Sequence, residues 1–191
     1  MSRTSILQSI KANQPSFVEA PEVENFAPAF DDAVEKYIEV LRGIGGTLHH
    51  VESDEQIISI IKAQFAEAKR IVSDLPGMSS IAQTYESGDG HVFEDVDLFI
   101  MDSNLAVAEN GAVWISDNEI KERVLPFITQ HLAVILDKKS IVPTMHVAYD
   151  IIAQKDYGFA AFIAGPSKTA DIEQSLVLGA HGPKTMTVFL K

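Results

Sequence analysis

The chain has 191 residues, of which 46% are hydrophobic and 22% charged, which is typical of one folded globular domain rather than a disordered protein. Fifteen Lys and Arg against 27 Asp and Glu give a net charge of −12, which disfavours binding to nucleic acid or to an anionic membrane. Because there is no cysteine, the chain itself forms no disulfide, iron–sulfur cluster or Cys-rich zinc site. No signal peptide or bilayer-length apolar run is visible, so we expect a cytoplasmic protein without membrane insertion.

Hydrophobic spacing predicts three helices in the first half of the chain. The first spans residues 2–13 and is followed by an extended acidic connector at 19–25. The second spans 30–41 and ends at a run of glycines. Ser53 opens the third helix, and Gln56 lies three residues later, the spacing of a capping box.

Strands are predicted at 47–51 and 70–75, on either side of the third helix, and this order predicts a parallel crossover and an α/β fold. A further helix is predicted with Pro143 at its first position. Short apolar runs predict six more strands, at 97–101, 105–109, 112–116, 131–136, 158–164 and 185–190. We expect an N-terminal helix and connector at 1–28 and one α/β domain at 29–191.

Asn110 and Gly111, between two apolar runs, predict a tight hairpin turn of type I′. Glu109 precedes this turn, and a partly buried carboxylate there would be suited to act as a nucleophile or a general base. The alternative is that these residues serve only the geometry of the turn.

The stretch Gly165–Glu173 follows a predicted strand and leads into a segment predicted to be a short helix. Ser167 or Thr169 would cap this helix and leave free backbone amides near Lys168, where an anion could bind. Two acidic residues fall in its first turn and would satisfy the helix dipole themselves. A capped turn without a ligand is therefore the alternative.

The six histidines give no spacing typical of a metal site. His49 and His50 are adjacent, so on a strand they point to opposite faces, and the other four are isolated in the sequence. We therefore expect no bound metal ion. His181 differs from the others because glycines lie close on both sides, which allows the backbone to approach a ligand and the imidazole to act as an acid.

Three segments together make the sequence recognisable, namely AENGA at 108–112, GPSKTADIE at 165–173 and LGAHGP at 178–183. They resemble the LutC/YkgG group of the lactate-utilisation (LUD) domain family, and the resemblance covers the chain from residue 97 onward. Asn110 stands where the family usually has threonine, and Lys168 where it usually has arginine. Lysine presents a point charge, whereas arginine offers a planar two-pronged contact.

The resemblance implies a single domain with a mainly parallel mixed sheet flanked by helices, similar to the NagB/RpiA/CoA-transferase-like superfamily. It also implies a role in oxidising L-lactate to pyruvate beside iron–sulfur oxidoreductase subunits, with no cofactor in this chain. Glu109 and His181 are the catalytic candidates. The residues expected to bind a small organic acid or another anion are Asn110, Gly111, His131, Gly165, Ser167, Lys168, Thr169, Asp171, Glu173, Gly179 and Gly182.

Two other functions stay open at this point. The chain could be an independent enzyme of the CoA-transferase or sugar-phosphate type that uses Glu109. It could also be a scaffold without a ligand site, in which every motif serves only turns and caps.

Overall fold

The computed structural model describes residues 2–19, 30–170, 176–178 and 181–191. Within these residues the helices are α1 (Arg3–Ala12), α2 (Ala33–Gly43), α3 (Asp54–Gln64), α4 (Leu125–Ile128) and α5 (Met145–Ile152). The strands are β1 (Thr47–His50), β2 (Ile71–Val72), β3 (Leu98–Ser103), β4 (Ala106–Val107), β5 (Ala112–Ser116), β6 (His131–Leu136), β7 (Ile141–Val142), β8 (Ala160–Ala164), β9 (Lys168–Ala170), β10 (Leu176–Leu178) and β11 (Thr185–Leu190).

Five strands form the main sheet, which is wholly parallel and has the order β1-β11-β6-β3-β2. Strands β6 and β11 are buried along their whole length after the first residue. Their sequences are nearly continuous apolar runs because both faces of a parallel sheet are covered. The strands predicted at 131–136 and 185–190 are confirmed to the residue.

Strands β1 and β2 flank α3 in the sequence but lie at opposite edges of the main sheet. They are parallel members of one sheet, as the crossover predicts, with three other strands between them. Strand β2 is shorter than the predicted strand at 70–75. After Val72 the chain no longer pairs with β3: Ser73 N donates to the carbonyl of Gln83 (3.0 Å), and a 3₁₀ turn follows at Pro76–Met78.

Successive residues of the main sheet alternate between two apolar layers. Leu98 and Ile100 of β3 face the layer that contains α3, where Ile57 and Ile61 are fully buried. The neighbouring residues of β3 face a larger layer, which contains α2 and a second sheet. The main sheet is therefore sandwiched between α3 on one side and α2 with the second sheet on the other.

The second sheet has four strands in the order β7-β4-β5-β8. Strand β5 is antiparallel to both β4 and β8, whereas β4 and β7 are parallel. Helix α5 packs on this sheet through Ala148 and Ile152, against Trp114 of β5. The predicted architecture, mainly parallel strands flanked by helices, is confirmed, with the described strands divided between these two sheets and a two-stranded antiparallel pair, β9 and β10.

Helix starts follow the sequence signals, with two differences. Ser53 Oγ accepts a hydrogen bond from Gln56 N (3.5 Å), but Gln56 Oε1 accepts from Glu52 N (2.8 Å), one residue before the cap. The prediction of Pro143 at the first position of α5 is wrong. Thr144 is the N-cap, and its Oγ1 accepts from the third helical amide, so the proline precedes the cap.

Helix α1 confirms the helix predicted at 2–13, but none of its residues is buried. Its apolar face, formed by Ile6, Leu7 and Ile10, is about half exposed. Most of the predicted connector at 19–25 lies outside the described residues. In the part of the chain that the structure describes, no helix has both the length and the apolar character needed to cross a membrane.

Candidate functional site at the amino-terminal end of the main sheet

Polar residues from several strands meet where the parallel strands begin. His131 is the first residue of β6, and the register pairs it with Thr185, the first residue of β11, and with Leu98, the first residue of β3. Asp97 immediately precedes β3, and Thr47 begins β1. An imidazole, a carboxylate and two hydroxyl groups are thereby placed at one end of the sheet.

A cleft of about 640 Å³ opens at this end, and we call it the histidine cleft. Its lining residues are Thr47, Ala63, Gln64, Phe65, Ala66, Glu67, Ala68, Asp97, His131, Thr185 and Thr187. An adjoining cleft of about 520 Å³, the lysine cleft, shares two of these residues and is lined by Lys69, Arg70, Glu94, Asp95, Asp97, Gln130, His131 and Lys184. Both volumes are within the range usual for sites that bind small molecules.

His131 is a half-buried side chain common to both clefts. Its Nδ1 lies 2.8 Å from Oγ1 of Thr185, and its ring packs at a tilt against Phe65 with centroids 5.2 Å apart. Burial lowers the pKa of His131, the nearby charge of Lys184 lowers it further, and Asp97 opposes the shift. The imidazole is therefore neutral at neutral pH and has a nitrogen able to accept a proton.

The Asp97 carboxylate fixes the loop that leads into β2. Its Oδ2 accepts the backbone N–H groups of Lys69 (2.6 Å) and Arg70 (3.0 Å). The hydrogen bond from Arg70 is the main reason why the pKa of Asp97 is lowered, although partial burial opposes the shift. Asp97 thus stays charged at neutral pH and faces the His131 ring with a fixed negative charge.

Two of the segments that resemble the family pack on the same side chain, that of Ile44 after α2. Gly111 and Gly165 both have a positive φ, 70° and 71°. A Cβ atom built on Gly111 would lie 3.0 Å from Ile44 Cδ1, and one on Gly165 would lie 2.9 Å from Ile44 Cγ1. Both positions therefore need glycine for its backbone conformation and for its small size.

The third segment joins the other two through Ser167. The backbone N–H of Ser167 donates to the carbonyl of Pro183 (2.9 Å), and a Cβ on Gly182 would lie 3.2 Å from Ser167 Cβ. Lys168 follows, and its Nζ would lie 3.7 Å from a Cβ on Gly45, just before β1. We call residues 108–111, 165–168 and 181–183 the loop cluster, since they pack as neighbours.

The two catalytic candidates occupy different surroundings. Glu109 is half-buried, its backbone N–H donates to the carbonyl of Pro143 (3.1 Å), and within the described residues its side chain lines neither the histidine cleft nor the lysine cleft. His181 is exposed and lies with Gly182 in a third cleft of about 480 Å³. Gln130 belongs to this third cleft and to the lysine cleft, so the clefts of His181 and His131 adjoin.

The turn at Asn110–Gly111 differs from the predicted two-residue type I′ turn. Val107 pairs with Ala112, so the loop between β4 and β5 has the four residues 108–111. Asn110 Oδ1 accepts a hydrogen bond from Ala112 N (3.0 Å), and Gly111 N donates to Val107 O (2.9 Å). The asparagine thus closes the loop with its side chain, and Gly111 adopts the left-handed conformation predicted for it.

The segment after Ser167 also differs from its prediction. Residues Lys168–Ala170, which include Thr169, form strand β9, paired antiparallel with β10, so the predicted capped helix is wrong here. The pairing of the two strands satisfies backbone groups that a helix cap would otherwise have satisfied. The predicted binding residues Asp171, Glu173 and Gly179 lie outside the described residues.

The described residues include no group of three or more His, Cys, Asp or Glu side chains placed to hold a metal ion. His49 instead stacks on Phe189 with ring centroids 5.7 Å apart, and its Nε2 lies 3.0 Å from Gln64 Nε2. The clefts therefore offer imidazole, hydroxyl and ammonium groups for hydrogen bonding to a ligand.

Several cleft residues are absent from the sequence-based candidates, namely Thr47, Asp97, Lys184 and Thr185. Their positions relative to the predicted strands are the signal that could identify them. Asp97 and Thr185 each stand at the start of a buried apolar run, like His131. Once the strands are taken to be parallel, such residues must share one end of the sheet.

Comparisons with known proteins agree with the resemblance. Lactate utilization protein C from Anoxybacillus flavithermus is 38% identical over 86 residues, which cover 44% of this chain and 39% of that protein. Lactate utilization protein C from Bacillus subtilis is 38% identical over 97 residues, covering 47% of this chain and 40% of that protein. The matched region thus spans about two fifths of the length of these relatives.

The fold has a counterpart in a crystal structure of a DUF162 family protein from Deinococcus radiodurans. That structure superposes with a TM-score of 0.62 over 83% of this chain and 95% of the other, at 15% sequence identity. The sequence model of the LUD domain matches residues 87–190, more than half of the chain and all three segments of the loop cluster. The chain therefore belongs to the LUD domain family.

Proposed function

We propose that this chain is a non-redox subunit of a cytoplasmic lactate-utilisation system that supports the oxidation of L-lactate to pyruvate. The similarity to proteins named Lactate utilization protein C supports this role. Because the chain has no cysteine to ligate an iron–sulfur cluster, electron transfer through such clusters would be the task of partner proteins.

The packing of the loop cluster is the observation that most favours this function. Gly111 and Gly165 meet on Ile44, and Gly182 meets Ser167, so the family's segments form one local structure instead of three separate turns. Two lysines, Lys168 of the cluster and Lys184 next to it, would provide positive charge for a small organic acid. Such an acid fits a chain that supports lactate oxidation without a redox group of its own.

Deletion of the gene in the native host tests the role. The deletion strain should grow on glucose but poorly on L-lactate, and the wild-type gene should restore growth. An affinity-tagged chain should co-purify with proteins that show the visible absorbance of iron–sulfur clusters. Normal growth on lactate, with no such protein recovered, would contradict the proposal.

The alternative enzyme that uses Glu109 is tested in the same strain. Glu109→Gln removes the charge while nearly preserving the shape of the side chain. If Glu109 is a nucleophile or base, the variant should fail to restore growth although the protein is folded. The proposed subunit role predicts instead that the variant restores growth, since Glu109 lines neither the histidine cleft nor the lysine cleft.

A further inference from the structure

We propose that the histidine cleft binds a small monocarboxylate, held by His131, Thr185 and Lys184 where the histidine and lysine clefts meet. The inference rests on the proposed function and deepens it, because it assigns the organic acid a place in the chain. That place is separate from the turn beside Glu109.

The shape of the histidine cleft suits a small ligand that has one apolar side. Phe65, Ala63 and Ala66 contribute apolar surface from the end of α3 and the loop after it. Three threonines contribute hydroxyl groups from β1 and β11, where Thr47 is the register partner of Thr187. A cleft with a few polar groups set in apolar surroundings is typical of small-molecule sites.

The charges around His131 favour a ligand with one negative charge. Lys184 and His131 both line the lysine cleft, and the positive charge of Lys184 lowers the pKa of the imidazole. Asp97 brings a negative charge that its hydrogen bonds to backbone amides keep in place. The carboxylates of Asp97 and Glu67 repel a dianion about twice as strongly as a monoanion, and Lys184 of the adjoining lysine cleft provides the one positive charge that a single carboxylate needs.

The hydrogen bond with Thr185 prepares His131 for a ligand. When the Thr185 hydroxyl donates to Nδ1, the neutral ring carries its proton on Nε2, and this N–H can donate to a carboxylate oxygen. The groups packed around the ring are Asp97 before β3, Lys184 and Thr185 of the β11 segment and Phe65 after α3. A bound carboxylate adds a negative charge to this set, so it should raise the pKa of His131.

The test is an NMR titration of the full chain labelled with ¹⁵N in histidine, with His131→Gln used to assign the His131 signals. L-lactate, pyruvate and acetate are added separately, and sulfate and thiosulfate serve as dianionic probes. We expect a saturable change in the His131 signals with the monocarboxylates, a raised pKa of His131 in the bound state, and weaker binding of both dianions.

Variants separate the cleft from the rest of the surface. Lys184→Met and Thr185→Val should each weaken binding, the lysine variant by about tenfold because it removes a charge-assisted contact. Lys139→Met and His146→Gln change exposed residues on other elements and should bind like the wild type. Circular dichroism during urea unfolding checks that every variant is folded.

Three results would overturn the inference. They are a wild-type chain without a saturable His131 response, a Lys184→Met variant that binds like the wild type, and dianions that bind as tightly as monocarboxylates. If the inference fails while the deletion strain still grows poorly on lactate, the proposed function stands without this site. If binding occurs but deletion has no effect on growth, the cleft stands and the proposed function fails.

Discussion

The two ends of the main sheet use their polar residues in different ways. At the carboxyl-terminal end, Lys191 Nζ pairs with Asp54 Oδ1 at 2.7 Å, and Lys138 N donates to the carbonyl of Lys191 (3.1 Å). These bonds join β11 to α3 and to the turn after β6. At the amino-terminal end, His131 and Asp97 instead line both the histidine cleft and the lysine cleft.

The end of the sheet at which a ligand binds depends on which polar side chains are free to contact it. Open α/β sheets usually bind ligands at the carboxyl ends of their strands. Here a cleft of about 470 Å³ exists at that end too, but its lysines include Lys191, which is already paired with Asp54. The side chains, rather than the architecture, favour the amino-terminal end, as expected when one fold hosts many functions.

The largest loss of stability should come from replacing a residue on which both ends of the main sheet depend. Phe189 is fully buried in β11, which hydrogen-bonds to β1 and β6, and it packs in the layer that contains α3. Phe189→Ala should lower the free energy of unfolding by about 3–5 kcal/mol, because it leaves a cavity in the core. Urea unfolding followed by circular dichroism measures the loss.

The matched control is Phe17→Ala, since Phe17 is 92% exposed. This variant should unfold within about 0.5 kcal/mol of the wild type. If Phe189→Ala changed the free energy of unfolding as little as Phe17→Ala, β11 would not be the strand that holds the two ends of the main sheet together.

A smaller, pH-dependent effect is expected at the amino-terminal end. The pKa of Asp97 is lowered in the folded chain, chiefly by the hydrogen bond from Arg70 N, so the ionised form stabilises the fold. This stabilisation is present above the unfolded pKa of about 3.9 and is lost as the pH falls through the lower folded value. Asp97→Asn should therefore cost about 1–2 kcal/mol at neutral pH and progressively less below about pH 4.

Urea unfolding of both proteins at several pH values measures this difference. Asp102→Asn is the control, because Asp102 is an exposed residue of the same strand, β3. A deficit of Asp97→Asn that stays constant into acid would show that the charge of Asp97 does not stabilise the loop at Lys69 and Arg70.

The smallest effect is expected at the carboxyl-terminal end. The side chains of Lys191 and Asp54 are 38% and 39% exposed, so water and salt screen their attraction. A double-mutant cycle with Lys191→Met and Asp54→Asn should give a coupling energy below about 1 kcal/mol that decreases in high salt. A coupling above about 2 kcal/mol would show that this end is held by electrostatics, contrary to its exposure.

The sequence predicts those elements whose signal is local. Strands β6 and β11 are continuous apolar runs, and Ser53 with Gln56 marks the start of α3, so each was predicted from a few neighbouring residues. The sequence predicts a two-residue turn at Asn110–Gly111, whereas the loop has four residues. Asn110 Oδ1 accepts a hydrogen bond from Ala112 N within it. The order of strands depends on contacts distant in the sequence, which local patterns do not encode.

The candidate site shows the same limit. The sequence indicates His131, but its hydrogen-bonding partner Thr185 lies 54 residues away and becomes a neighbour only through the pairing of β6 with β11. Gly111 and Gly165 were selected as ligand-binding residues, and the structure adds a packing reason for both in Ile44. From the sequence alone, a glycine that is required because a neighbouring side chain leaves no room for a Cβ atom looks the same as one that lets a ligand approach the backbone.

The position of β11 has a consequence for how the chain is made. Strand β1 pairs only with β11 among the described strands, although the two are separated by nearly the whole domain in sequence. During translation, β1 therefore emerges from the ribosome long before its neighbour, and the backbone N–H and C=O groups of its edge stay unpaired and open to aggregation. Closure of the sheet must therefore wait until β11 has been synthesised, and a nascent chain truncated before residue 185 should need a chaperone to stay dispersed.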